Sequence, residues 1–183
     1  MTLSPVKRMT VEEFEQYAMQ PENQGRKLQL IHGEIVEEMP TPQHGMIVVA
    51  LLKWLLKYLE EHPVGLLLTE VRIRLENEDD QGRIPDVALA HGDQGTFDVS
   101  LPLPFVPALC IEIASPGQSD RHMRDLADYY LTRGGRMVWL VYPDRKLVEW
   151  LTPTDRQLLT IDGTLVGGDV LPDFTLPVSA LFA

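Results

Sequence analysis

The chain has 183 residues, 44% of them hydrophobic and 23% charged, with a formal net charge of −11 at pH 7. A chain of this size and composition is expected to fold as a single domain, 1–183, burying roughly two-thirds of its unfolded surface. The acidic balance excludes a nucleic-acid coat protein, which would present a basic face, but not an enzyme with a local basic groove.

Compartment follows from the same inventory. The opening residues, MTLSPVKRMT, hold no apolar leader segment, and the lone cysteine, Cys110, has no internal partner for a disulfide. A cytoplasmic, reducing location is expected. The longest apolar stretch, residues 46–59, is broken by Lys53 and Lys57 and is too short to cross a bilayer, so no membrane association is expected.

Along the chain, Thr10 and Glu13 form a capping-box pattern that predicts a short helix with Phe14 and Tyr17 on one face. Residues 27–39 read as an N-terminal hairpin turning at Gly33, with Glu34 opening the returning strand. After Pro40 and Pro42 a long helix is predicted over 43–62, ended by Pro63 and Gly65. Its apolar surface exceeds one stripe, so the helix is either sandwiched centrally or shared with a partner subunit, and a homodimer through it is predicted.

Strands are predicted over 66–75, 84–90 and 108–114, with an acidic turn over 76–82. The breaker-rich stretch 91–107 reads as a mobile loop. A second helix is predicted over 120–133, closed by Gly134-Gly135 in a Schellman-type cap. Residues 137–142 form a continuous apolar run, the mark of a central strand, and 147–151 should pair with it across Pro143-Asp144-Arg145. The tail from 162 to 183 is expected to wrap the sheet edge.

Two acids stand out against this background. Asp86 follows Pro85 at the start of an apolar run, where it either caps a turn or ligates a cation. Glu112 lies inside Leu109-Cys110-Ile111-Glu112-Ile113-Ala114, a strand apolar on both faces. An ionised carboxylate there costs several kcal/mol, so Glu112 needs a cation, a basic partner or a raised pKa. His32, His62, His91 and His122 show no ligand spacing with one another, so no zinc site is assigned. No serine is set with a histidine and an acid in a nucleophile elbow.

Several strings follow one another in order: Leu30-Ile31-His32-Gly33-Glu34-Ile35-Val36, Pro42-Gln43-His44-Gly45, Ile84-Pro85-Asp86-Val87 and Ile111-Glu112-Ile113-Ala114-Ser115-Pro116. Asp128-Tyr129-Tyr130-Leu131, Val138-Trp139-Leu140-Val141-Tyr142-Pro143 and Gly168-Asp169-Val170-Leu171-Pro172 continue the series. Together they resemble the Uma-type restriction-endonuclease-like proteins, a family of unknown function abundant in cyanobacteria, within the PD-(D/E)XK nuclease superfamily. The resemblance spans nearly the whole chain.

It implies an α+β fold, a restriction-endonuclease-like mixed β-sheet flanked by helices. It further implies that Asp86, Glu112 and the carbonyl of Ile113 hold Mg²⁺, that Glu34 contributes to catalysis, and that His44 lines the cleft where DNA would bind. The nuclease lysine would fall at Ala114, and the family's substitute position on the following helix is Leu126. Arg124, with Arg121 toward the substrate, is the expected electrostatic replacement, although arginine differs in reach and cannot be deprotonated. Two functions follow as expectations: a weak Mg²⁺-dependent DNA endonuclease, or a catalytically silent dimeric interaction protein that keeps the fold.

Overall fold

A computed structural model describes residues 8–183. The reading of the N-terminus as lacking a leader falls largely on residues 1–7, outside the described residues.

The first elements form as their local chemistry dictates. Helix α1 (Val11–Ala18) starts at a complete capping box, with Glu13 N–H donating to Thr10 Oγ1 at 3.2 Å and Thr10 N–H to the Glu13 carboxylate at 3.0 Å. Strands β1 (Lys27–Ile31) and β2 (Glu34–Glu38) pair through a two-residue turn. His32 and Gly33 both adopt positive φ, at 51° and 75°, the conformation of tight hairpin turns that match strand twist. Leu28 and Leu30 point to α1 and pack with Val11 and Phe14. The period of two therefore sends Lys27 and Gln29 to the other side of β1.

Helix α2 (Pro42–Glu61) is capped by Thr41, whose hydroxyl accepts from His44 N–H at 3.2 Å. The main sheet follows in strict chain order: β3 (Gly65–Thr69), β4 (Val87–His91), β5 (Leu109–Ile113), β6 (Met137–Tyr142), β7 (Leu147–Leu151) and β8 (Arg156–Leu159). Only β5 and β6 run parallel, and α3 (Asp120–Thr132) makes the crossover that a parallel pair requires. Gly134, at φ 99°, lets Gly135 N–H close back on the Tyr130 carbonyl at 2.9 Å, the long bond of a Schellman cap.

Alternation along the central strands builds a core on each face. Leu109, Ile111, Ile113, Trp139 and Val141 meet Ile47, Leu51 and Leu55 of α2. Cys110, Val138, Leu140 and Tyr142 meet Met123, Leu126, Ala127 and Tyr130 of α3.

Three sequence expectations are modified. The strand expected over 66–75 ends at Thr69, because Glu70 turns to φ 50° and leaves the extended region; Ile73 then makes only isolated bridges, to Arg83 and Leu103. The expected loop 91–107 is anchored: Leu103 and Val106 are buried, and Gln94 ties Val106 carbonyl (2.8 Å) to Ala108 N–H (2.9 Å). The tail forms β9 (Thr164–Val166) and β10 (Thr175–Pro177), a hairpin whose Leu165 and Leu176 join the α2-side core. It covers a face of the sheet rather than an edge. Among the described residues no helix is long and apolar enough to cross a membrane.

Candidate functional site

Strand register brings Asp86 and Glu112 together. In the antiparallel ladder of β4 and β5, Val87 faces Ile111, so one step further Asp86 faces Glu112. Asp86 Oδ2 accepts from the Ile113 N–H at 2.7 Å, which fixes the aspartate at the C-terminal end of β5. Both acids are 2% exposed. Ile113 reaches the pair through this N–H.

The hairpin supplies the counter-charge. The Lys27 ammonium touches Asp86 Oδ1 and lies 2.9 Å from Glu38 Oε2, and its partner across the β1–β2 ladder is Glu38. Gln29 Nε2 donates to the other Glu38 oxygen at 2.5 Å, while Gln29 Oε1 accepts from Ile84 N–H at 3.1 Å. These bonds lock the hairpin to the segment that enters β4. From α2, His44 Nε2 stands 3.1 Å from Asp86 Oδ2. From α3, Tyr130 donates its hydroxyl to Glu112 Oε1 at 2.5 Å.

The electrostatics divide the two acids. Burial alone would raise the Asp86 carboxyl, but His44 and Lys27 outweigh it and hold the group below the ordinary aspartate value. Glu112 goes the other way: burial, then the neighbouring Asp86 and Glu38 carboxylates, push it well up, with Lys27 and Tyr130 offsetting only part. Burial also opposes the charge on Lys27, yet Asp86, Glu112 and Glu38 together leave it well above the ordinary lysine value. Two carboxylates, Asp86 and Glu38, share one ammonium, and Glu112 adds to the negative field around it.

Solvent reaches this cluster from two sides. A cavity of about 560 Å³ is lined by Thr41, His44, Val48, Leu52, Glu70 and Asp86. A second, of about 480 Å³, is lined by Arg26, Lys27, Glu37, Glu38, Glu70 and Ile84. Glu70 and Pro40 border both.

The remaining sequence-nominated residues lie elsewhere. Glu34 is exposed at the turn end of β2, four residues before Glu38, and is not brought to Asp86 and Glu112. Arg124 lies 3.3 Å from Glu149, a buried acid also held by Arg156 at 2.5 Å and the Tyr142 hydroxyl at 3.1 Å. Arg121 projects into solvent beside Asp125 at 4.0 Å. Leu126 is a core residue of α3. Lys27, Glu38, Gln29 and Tyr130 were not nominated by the sequence. The hairpin register around Gly33 was the available signal, since a turn at His32-Gly33 sets Lys27 opposite Glu38.

The donor chemistry suits Mg²⁺, with hard carboxylate oxygens and surplus negative charge that a divalent cation would relieve. As the side chains stand, among the described residues no group of three His, Cys, Asp or Glu is arranged to hold a metal ion. Lys27 bridges Asp86 and Glu38 instead.

A mixed six-stranded sheet between helices, with a buried acidic pair at the end of its parallel strand, defines a restriction-endonuclease-like protein. A solved structure described as a putative nuclease belonging to DUF820, from Anabaena variabilis, shares this fold with a TM-score of 0.79 and 21% identity, over 95% of this chain and 97% of that one. The chain belongs to the Uma2 family, described as "Putative restriction endonuclease", whose model matches residues 11–179. No curated protein matches it.

Proposed function

We propose that the protein is a metal-dependent nuclease that cleaves DNA phosphodiesters at Asp86 and Glu112. One observation carries the reading: two buried carboxylates, Asp86 and Glu38, meet on a single lysine beside two solvent cavities, and a third buried acid, Glu112, lies one ladder step beyond the Val87–Ile111 pair, opposite Asp86. Mg²⁺ held by Asp86 and Glu112 would supply Lewis-acid stabilisation of the phosphoryl oxygens. His44 and the Ile113 N–H orient Asp86, and Tyr130 orients Glu112. Lys27, coming from the hairpin, places positive charge where neither Ala114 nor Leu126 can, and offsets charge that develops on the phosphate. The outward residues of α2, Met46, Val49 and Leu56, at 64%, 66% and 53% exposure, support a homodimer as part of this proposal.

A second reading, a catalytically silent dimer, is favoured by the engagement of both Asp86 oxygens by groups of the chain itself. Supercoiled plasmid separates the two. Nicking with Mg²⁺ or Mn²⁺, abolished by EDTA and reduced at least about 100-fold in Asp86→Asn, is the outcome expected of the nuclease. No nicking under any of these conditions supports the silent reading.

A further inference from the structure

Lys27 occupies ground that a cation on Asp86 must take. Its ammonium touches Asp86 Oδ1, while Oδ2 is taken by the Ile113 N–H and faces His44. The Lys27 side chain is 8% exposed, so the contact is not a loose surface pair. A divalent ion can ligate Asp86 fully only if this ammonium leaves.

The hairpin provides a place for it to go. Glu38 Oε2 is 2.9 Å from the same ammonium, and Glu38 is held without help from Asp86: Gln29 binds its other oxygen and is itself fixed by Ile84 N–H. Lys27 and Glu38 are ladder partners on one element, whereas Asp86 and Glu112 belong to the sheet. The lysine therefore has one seat on its own hairpin and one on the site.

We propose that Lys27 is a built-in competitor for the divalent cation, closing Asp86 in the metal-free protein and withdrawing to Glu38 when a cation binds. This rests on the reading that Asp86 and Glu112 hold the metal. Its consequences are opposite in sign for the two hairpin residues. Removing the ammonium strengthens metal binding, because the competitor is gone. Neutralising Glu38 weakens it, because Lys27 is left with Asp86 alone.

Calorimetric titration of the full chain with Mn²⁺ at neutral pH reads this directly, with folding of each variant checked by circular dichroism. Lys27→Met should bind Mn²⁺ about tenfold or more tightly than wild type, equivalent to about 1.4 kcal/mol of relieved competition. Lys27→Gln serves if the methionine variant does not fold. Glu38→Gln should bind more weakly than wild type, and adding it to Lys27→Met should change nothing further. Wild type and Lys27→Met binding equally well overturns the competition and leaves the metal site standing. A loss from Glu38→Gln that persists in the Lys27→Met background makes Glu38 a ligand and overturns its role as the lysine's seat. Failure of both wild type and Lys27→Met to bind Mn²⁺ overturns the proposal together with the metal-site reading.

Discussion

Glu112 and Asp86 face each other across one ladder step, yet their neighbours drive them in opposite directions. Glu112 has its pKa raised in the folded chain, by burial first and then by Asp86 and Glu38. A raised carboxyl makes the native state bind more protons than the unfolded one, so stability is full below the unfolded value, about 4.3, and falls as pH rises through the folded value. Glu112→Gln keeps an acceptor for the Tyr130 hydroxyl and removes the ionisation. In EDTA, it should raise the melting temperature by a few degrees at pH 8 and leave it nearly unchanged at pH 4; an equal loss at both pH values would contradict the assignment. The acids themselves were legible as polar residues inside or beside apolar runs. Their partners were not: lysine and glutamate on a short hairpin look like solvated strand residues until the register is known, and only tertiary docking buries them. The family resemblance implied a role for Glu34, but the buried acid of that strand is Glu38.

The hairpin β1–β2 and helix α3 are the elements that deliver this chemistry. A Cβ on Gly33 would come within 2.5 Å of Arg8 Cβ, in a residue already at positive φ. Gly33→Ala should cost about 1–3 kcal/mol in chemical denaturation and, by shifting the hairpin, disturb the Lys27 contacts. On α3, Leu126 stands where the family resemblance placed a lysine, and the structure shows why an apolar residue suits this chain: the position is buried among Met123, Ala127 and Tyr130. Leu126→Ala should lose about 2–5 kcal/mol of stability, as a core cavity does, whereas the effect of a catalytic position would be on activity with stability retained. The capping box made α1 readable, helical spacing α2, and the Gly134-Gly135 terminus α3. The break at Glu70 escaped, since the apolar pattern continues through Val71, Ile73 and Leu75 after the backbone has left the sheet.

At the level of the molecule, the ordered strings carried the family resemblance, and the resemblance implied the sheet flanked by helices. The anchoring of 91–107 and the placement of the tail hairpin depend on long-range packing that no local signal encodes. With a net charge of −11, DNA affinity should be weak and fall steeply between about 50 and 200 mM salt, measurable by fluorescence anisotropy; a salt-independent affinity would contradict binding through phosphates. If α2 forms the homodimer, Val49→Glu should shift the sedimentation of a dimeric wild type to that of a monomer without loss of secondary structure. The central claim is that Asp86 and Glu112 hold the divalent cation, and titration calorimetry of wild type against the Asp86→Asn, Glu112→Gln double variant tests it most directly. Saturable binding of Mg²⁺ or Mn²⁺ by wild type, absent in the folded double variant, is the predicted result, and identical metal binding by the two proteins would contradict it.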